Sequence, residues 1–142
     1  MCKKNLLKKI PILTSQIYKI NIKKINPKKI ALEYEKKIKK YFNGKKISFD
    51  LTLLGVGNDG HIASLFENNI NKMNKKNVDF VIRKDFKRIT LTIKCINNSK
   101  NIFLWAPKKN KISIVKKIIF DKKIFYPASF LKSKNKYLFY SN

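Results

Sequence analysis

The sequence is poor in acidic residues, glycine, proline and histidine, and it has no long apolar run. Its 142 residues include 8 Asp and Glu against 34 Lys and Arg, which gives a formal net charge of +26. No stretch of about 18 uncharged apolar residues is present, and the Lys-rich N-terminus lacks the apolar segment and small-residue cleavage site of a signal peptide. We therefore expect a cytoplasmic protein that has no membrane partner.

Cysteine is also scarce. Cys2 lies at one end of the chain and Cys95 lies inside a strand-like run, and no CxxC or Cys/His spacing relates them. A disulfide framework or a zinc site needs several such residues at short, regular spacings. The sequence therefore predicts neither a disulfide nor a metal site.

The excess of lysine raises the hypothesis of a protein that binds nucleic acid or another polyanion, because cationic side chains attract phosphate groups. The chain is, however, rich in Lys, Ile and Asn together, and these three amino acids have A/T-rich codons. Base composition alone would produce that profile at solvated surface positions. The aromatic residues follow core spacing, and no RNP, KH or Cys/His motif is present. We predict no specific nucleic-acid partner and keep a basic polyanion-binding protein as an alternative.

The chain reads as one domain, residues 1–142, with 44% hydrophobic residues to form a core. Asn26 and Pro27 open the segment NPKKIALEYEKKIKKYF, in which apolar residues recur every three or four positions. This spacing predicts an amphipathic helix that ends at Asn43-Gly44. The run SFDLTLLG then predicts a strand, which leads through a glycine-bearing loop into a second helix.

Further strands and one helix are predicted downstream. The runs DFVIRK, RITLTIKCI, NIFLWAP and KYLFYS read as strands, and the spacing of apolar residues predicts a helix near Lys109 to Phe120. Strands that alternate with helices predict an α/β fold with a mainly parallel, Rossmann-like sheet and helices on both faces. The consecutive strands in the middle predict some antiparallel pairing.

The loop after the first strand carries the candidate chemistry, because ligands in α/β sheets bind at the carboxyl ends of strands. His61, the only histidine, directly follows Asp59-Gly60. An imidazole can take a proton from water, and a nearby carboxylate can orient the ring and stabilise its charged form. The loop completes neither a dinucleotide-binding G-x-G-x-x-G motif nor a phosphate-binding GK[ST] motif. These residues favour hydrolysis over nucleotide binding.

The string FDLTLLGVGNDGHIASLF resembles the signature FDLxLLGxGxDGHxASLFP of 6-phosphogluconolactonases, in the glucosamine-6-phosphate isomerase/6-phosphogluconolactonase family. The segments INPKKIALEYEKKI, RITLTIKCIN, NIFLWAPKKNKISIV and YPASFL resemble other family segments in the same order. The resemblance implies hydrolysis of 6-phospho-D-glucono-1,5-lactone to 6-phosphogluconate in the oxidative pentose phosphate pathway. It implies no cofactor and no metal.

The resemblance also implies roles for the residues of the loop. His61 would be the general base that activates water, and Asp59 would support it. The backbone of Gly57, Asn58 and Gly60 would line the sugar.

Two basic residues outside the loop are implied as substrate contacts. Arg88, at the start of the RITLT segment, would bind the phosphate or another part of the substrate, because a guanidinium fork matches a phosphate. The family's later lysine maps to Lys111, with Lys109 as the competing position because Pro107 replaces a usual glycine. Ser64 lies at an expected helix start without a nucleophile elbow, so we do not expect it to be a nucleophile.

The sequence departs from the family at its beginning. Relatives start with a βα portion that carries a Gly-Gly-Ser-Thr-Pro loop and an Asp-Glu-Arg segment, and this chain has neither. We therefore expect an N-terminally truncated domain that exposes a strand edge and apolar surface. A split or truncated gene, a degenerate remnant, and a half-domain completed by a partner or by self-association all remain open.

The related glucosamine-6-phosphate deaminases are an alternative function. They share the fold and a Gly-x-Gly-x-x-Gly-His loop, but typically continue with Ala-Phe-Asn-Glu-Pro after the histidine and isoleucine. This chain continues with Ala63-Ser64-Leu65-Phe66. That difference favours the lactonase, and an inactive remnant is the remaining alternative.

Overall fold

The computed structural model describes residues 3–21, 26–72, 75–107, 109–121, 126–132 and 135–140. The strands are β1 (Leu51–Gly55), β2 (Val78–Ile82), β3 (Lys87–Leu91), β4 (Asn101–Ala106) and β5 (Asn135–Tyr140). The α-helices are α1 (Pro27–Tyr41), α2 (Ile93–Asn97) and α3 (Ile112–Phe120). Single helical turns occupy Lys3–Leu7, Thr14–Gln16, Ile70–Lys72, Lys109–Lys111 and Pro127–Phe130. The predicted α/β class is confirmed.

The strands form two sheets. β1, β4 and β5 make a parallel sheet in the order β1-β4-β5, and β2 and β3 make a separate antiparallel pair. The predicted parallel sheet and the predicted antiparallel pairing in the middle of the chain are both present. Among the described helices, none is long and apolar enough to cross a membrane.

Helix α1 begins and packs as its sequence predicts. The side chain of Asn26 accepts a hydrogen bond from the backbone N–H of Lys29, and Pro27 occupies the first helical position. Ile30 and Ile38 are buried, and the helix packs against β2 and β3. This packing places α1 on the β2–β3 pair, away from the glycine-bearing loop.

The prediction of a helix directly after the glycine-bearing loop is wrong. Ile62 forms isolated bridges with both Val56 and Leu65, and the chain continues through turns before the short Ile70–Lys72 segment. Ala63 has a φ of 50°, which is incompatible with a regular α-helix at that position. Ser64 therefore does not begin a helix, and its backbone N–H donates to the side-chain oxygen of Thr90.

The strand predicted from the run RITLTIKCI is correct only in its first half. β3 ends at Leu91, and Thr92 becomes the N-cap of α2. The hydroxyl of Thr92 accepts from the backbone N–H of Cys95 at 3.3 Å and donates to the carbonyl of Lys76 at 2.7 Å. A buried threonine that satisfies a helix end in this way stabilises a helix in a β-rich sequence.

One face of the parallel sheet packs against the main core. Leu54, Ile102 and Leu104 are buried there in a cluster that also contains Ile62 and Leu65 of the loop region. Ile118 of α3 packs against the same cluster. The core therefore lies directly beneath the loop that follows β1.

The opposite face of the parallel sheet, here called the open face, is apolar and exposed. Its exposed side chains are Leu51 (59%), Leu53 (65%), Trp105 (44%), Tyr137 (52%) and Phe139 (42%). The connections β1 to β4 and β4 to β5 step across the sheet in the same direction. Because such crossovers are right-handed, both connections lie on one face and leave the other uncovered. The expected apolar surface is confirmed, and β1 is an edge strand.

Candidate active site

The loop after β1 is closed by its own hydrogen bonds. The N–H of Gly57 donates to the carbonyl of His61 at 2.8 Å, and the N–H of Gly60 donates to the carbonyl of Gly57 at 3.1 Å. The carbonyl of Gly60 accepts from the N–H of Ala128 at 3.1 Å. This last bond ties the loop to the Pro127–Phe130 turn, so a segment that is distant in sequence helps to hold the loop in place.

His61 and Asp59 form a directly bonded pair at the surface. Nδ1 of His61 lies 2.5 Å from Oδ1 of Asp59, which also accepts the backbone N–H of His61 at 3.2 Å. A carboxylate only accepts hydrogen bonds, so the imidazole proton is held on Nδ1. In the neutral ring, Nε2 is then the proton acceptor. This arrangement is suited to a general base.

The environment keeps Asp59 charged. Partial burial raises the pKa of the Asp59 carboxyl, but the hydrogen bonds from the ring and backbone of His61, together with the charge of the ring, outweigh burial and lower the pKa below its ordinary value. A carboxylate that stays ionised can stabilise the imidazolium that forms when Nε2 takes a proton.

Gly57 makes room for this pair. A Cβ at Gly57 would collide with Nδ1 and Cε1 of His61 and would lie 2.6 Å from Oδ1 of Asp59. At Gly60, where φ is 75°, a Cβ would lie 2.8 Å from atoms of Tyr126. At Gly55 a Cβ would meet nothing within 4 Å. The steric need for glycine is therefore specific to Gly57 and Gly60.

The two members of the pair line different cavities. His61 lines a cavity of about 540 Å³ together with Gly57, Trp105 and Lys111. The predicted residues His61, Gly57 and Lys111 therefore meet at one place. Lys109 starts the turn that precedes α3, and its side chain lies outside the described part of the chain.

Asp59 lines a second cavity of about 510 Å³, whose other lining residues include Phe66, Asn68 and Arg83. The ring of Phe66 lies 4.6 Å from the ring of His61, measured between centroids. Phe66 is buried, and it therefore both contacts the histidine and lines this second cavity.

The other predicted residues lie in the loop itself and on β3. Asn58 is exposed in the loop, and Gly60 is buried beneath it. Arg88 lies on β3, and its guanidinium carbon is 4.2 Å from the centroid of the Phe86 ring. Their roles as substrate contacts stay predictions.

Sequence reasoning missed Phe66 and Arg83. Phe66 reads as an ordinary core residue, and only the fold shows that its ring lies against His61. Arg83 could have been singled out from the sequence, because it is one of only two arginines among the 34 lysine and arginine residues. Its guanidinium carbon lies 3.9 Å from the centroid of Phe66.

The described residues offer little for metal or thiol chemistry. No group of three or more His, Cys, Asp or Glu side chains in the described ranges is placed to hold a metal ion. Cys95 is buried, and its burial and the nearby charge of Glu35 raise the pKa of the thiol to about 12. A thiol in that state is a poor nucleophile. Cys2 lies outside the described residues.

The fold and the loop define an α/β protein with a histidine-carboxylate pair at the carboxyl end of a parallel strand. The family described as "Glucosamine-6-phosphate isomerases/6-phosphogluconolactonase" matches residues 1–140. The chain belongs to this family.

Individual relatives carry the lactonase name. The 6-phosphogluconolactonase of Bos taurus is 35% identical over 123 residues, which are 83% of this chain and 47% of that protein. The 6-phosphogluconolactonase of Homo sapiens is 33% identical over 122 residues, 82% of this chain and 47% of that protein. The chain thus spans about half the length of these relatives.

Solved structures agree with the fold. The crystal structure of 6-phosphogluconolactonase from Thermotoga maritima matches with a TM-score of 0.78 at 25% identity, over 98% of this chain and 62% of that one. The 6-phosphogluconolactonase from Trypanosoma cruzi also gives a TM-score of 0.78 at 25% identity, over 97% of this chain and 61% of that one.

Proposed function

We propose that the chain carries the catalytic residues for hydrolysis of 6-phospho-D-glucono-1,5-lactone to 6-phosphogluconate. The observation that carries the proposal is the bonded His61–Asp59 pair in the loop at the end of β1. The lactonase names of the relatives support the choice of substrate. No cofactor is invoked, because a lactone is an ester that water can open.

In the proposed mechanism, Nε2 of His61 takes a proton from a water molecule as the water oxygen attacks the lactone carbonyl. The tetrahedral intermediate collapses, the ring oxygen leaves with the proton from His61, and the free acid is formed. Asp59 stabilises the imidazolium in between. A positioned general base of this kind contributes about 10²- to 10⁴-fold in rate.

Basic side chains are proposed to hold the phosphorylated substrate. Lys111 lines the same cavity as His61, so its ammonium group is the proposed contact on that side. Arg88 is the proposed contact on the side of the β2–β3 pair. The backbone of Gly57, Asn58 and Gly60 supports the sugar chiefly by shape, because the amides of Gly57 and Gly60 already donate within the loop.

The experiment that tests the function compares two substrates of the family. Freshly prepared 6-phosphogluconolactone and glucosamine-6-phosphate are supplied separately, and acid formation and ammonia release are measured. We expect acid formation above the spontaneous rate and no ammonia. Ammonia release without acid formation would instead favour a deaminase.

The polyanion-binding alternative is tested independently. DNA retention on a salt gradient is compared for wild type and His61→Ala, and lactonase activity is measured on the same samples. Equal, salt-dependent retention together with no activity in either protein would favour the alternative. We expect lactonase activity in wild type. Such activity would show that the loop has a role that net charge does not explain.

We also infer that the open face binds the part of the relatives' domain that this chain does not match. Parallel sheets are normally covered on both faces, and here five large apolar side chains are exposed on one face. The occupant would be the corresponding residues of the same protein or of a separate polypeptide. The predicted cytoplasmic location stays a prediction.

A further inference from the structure

The two arginines of the chain lie together at the tip of the β2–β3 pair. Arg83 follows β2 directly, and its backbone N–H donates to the carbonyl of Phe86 at 2.8 Å. Arg88 is on β3, opposite Val81. The guanidinium carbons of Arg83 and Arg88 are 5.8 and 4.2 Å from the centroid of the same Phe86 ring.

The pairing register explains why both arginines reach this ring. Side chains that are directly opposite each other share a face, and alternate residues of a strand return to that face. Val81 is opposite Arg88, and two residues further along the chain Arg83 is opposite Phe86. These four side chains therefore lie on the same face, the one that contains buried Val81. Phe86 packs against the main core cluster from this face. The arginines consequently point towards the site, whereas Lys87 is on the other face.

Each guanidinium group is held with its planar face against a phenyl ring, and its N–H edges are accessible to a ligand. Arg83 lies over Phe66 at 3.9 Å and Arg88 over Phe86 at 4.2 Å, and these two rings are 6.1 Å apart. Within the described part of the chain, the one hydrogen bond of the Arg83 side chain goes to Asn68 at 3.5 Å. Neither arginine forms an ion pair with a described carboxylate.

We propose that Arg83 is a further, specificity-determining contact for the phosphate group of the substrate, beside Arg88, whose contact with the substrate is already part of the proposed function. Stacking on phenyl rings leaves the N–H edges of a guanidinium free, and that planar edge matches two oxygens of a phosphate. Arg83 lines the cavity that Asp59 also lines. The site is thus adjacent to the catalytic pair. This proposal rests on the proposed lactonase function for the identity of the ligand.

Two carboxylates share that cavity and do not occupy the arginines. Asp59 is bound by His61, and Glu67 is exposed. The presence of arginine rather than lysine at these two positions also points to a specific role. Of the 34 basic residues, only these two are arginine, and both lie on aromatic rings beside the site. A surface lysine would supply the charge but not the planar fork.

The test measures binding of inorganic phosphate and of 6-phosphogluconate by titration calorimetry to the 142-residue chain. The variants are Arg83→Gln and, as a control that removes the same charge from the opposite face, Lys87→Gln. We expect Arg83→Gln to weaken binding by about tenfold or more, since charged hydrogen bonds are lost. Lys87→Gln should change binding by less than about twofold, because exposed single charges contribute little. Arg83→Lys should fall between them.

Turnover separates binding from folding. Hydrolysis of the unphosphorylated gluconolactone should be equal in wild type and Arg83→Gln, whereas KM for the phosphorylated lactone should rise in the variant. Equal effects of Arg83→Gln and Lys87→Gln, equal losses on both lactones, or no phosphate binding by wild type would overturn the proposal. Loss of binding in Arg83→Gln with no lactonase activity in wild type would support the phosphate site and contradict the proposed function.

Discussion

Gly57 alone leaves the space that the His61–Asp59 pair of the candidate active site needs. The His61–Asp59 pair occupies the space where a side chain at position 57 would lie. The glycine therefore acts by the absence of a Cβ rather than by an unusual backbone angle. The neighbouring Gly55 has no such role, although it stands in the same glycine-bearing segment.

Replacement of Gly57 tests this point. In Gly57→Ala, the new methyl group must displace His61 or Asp59, and a misplacement of about 1 Å can cost about 10²-fold in rate. We expect a loss of lactonase activity of at least about that size and a change in the ring resonances of His61 by NMR. In Gly55→Ala, the added Cβ meets nothing within 4 Å, so the His61 resonances should stay unchanged. Equal resonances in wild type and Gly57→Ala would contradict the account.

The sequence was sufficient to single out His61, Asp59 and their loop as candidates, because these residues are contiguous. It could not show that Phe66 lies against His61, or that Arg83 reaches the same place. Those contacts depend on how the β2–β3 pair folds against the loop, and strand register is a property of the whole fold. Lys111 was a candidate only through the family resemblance, and it lines the same cavity as His61.

Among the elements, α1 is tied to the β2–β3 pair by Glu35. This buried carboxylate accepts hydrogen bonds from the backbone and the side chain of Asn77, at 2.9 and 3.0 Å, and it pairs with Lys39 at 3.4 Å. Burial raises the pKa of Glu35, but the bonds from Asn77 and the charge of Lys39 outweigh it and lower the pKa. The ionised form is therefore the one that stabilises the fold.

This shift predicts a pH-dependent contribution to stability. Because the folded pKa is lower than the unfolded one, about 4.3, the contribution is complete above that value and is lost as the pH falls through the folded pKa. We expect Glu35→Gln to lower the free energy of unfolding by about 1–3 kcal/mol at pH 7. The difference from wild type should shrink towards pH 3 in denaturant titrations. A difference that is the same at both pH values would contradict this role, and the exposed Glu67→Gln serves as the control.

Elements with strong local signals were predicted well. The cap and the apolar spacing of α1 and the apolar runs of β1 and β4 correspond to observed elements. The helix expected after the loop and the second half of the RITLTIKCI strand were wrong. In both cases the local pattern is joined by a bond to a distant segment. The bridges of Ile62 replace a helix where the N–H of Ser64 donates to Thr90, and the hydroxyl of Thr92 caps α2 while it donates to the carbonyl of Lys76.

In the described part of the chain, the parallel sheet is packed on one face only. The open face carries Trp105, which stacks on Phe139 with ring centroids 4.4 Å apart. Trp105 also lines the cavity of His61. The uncovered surface and the candidate active site are therefore adjacent, and a segment that binds the open face would also border the cavity of His61.

Trp105 is the only tryptophan in the chain, so its fluorescence reports on the open face. We expect acrylamide to quench it in the chain alone. When the part of a relative's domain that this chain does not match is added, the quenching should fall and the emission should shift to shorter wavelength. Leu53→Lys, on the open face, should abolish this response. Leu32→Lys, on the exposed side of α1, should leave the response unchanged. Quenching that is indifferent to the added segment at all concentrations would refute the docking of that segment.

The role of His61 as general base is tested by the rate of 6-phosphogluconate formation from freshly generated lactone, corrected for spontaneous opening. Wild type and His61→Ala are compared at equal concentration, with folding of both checked by circular dichroism. The account predicts an excess rate in wild type that falls by about 10²-fold or more in the variant. An excess rate that survives in His61→Ala, or none in wild type, would contradict it.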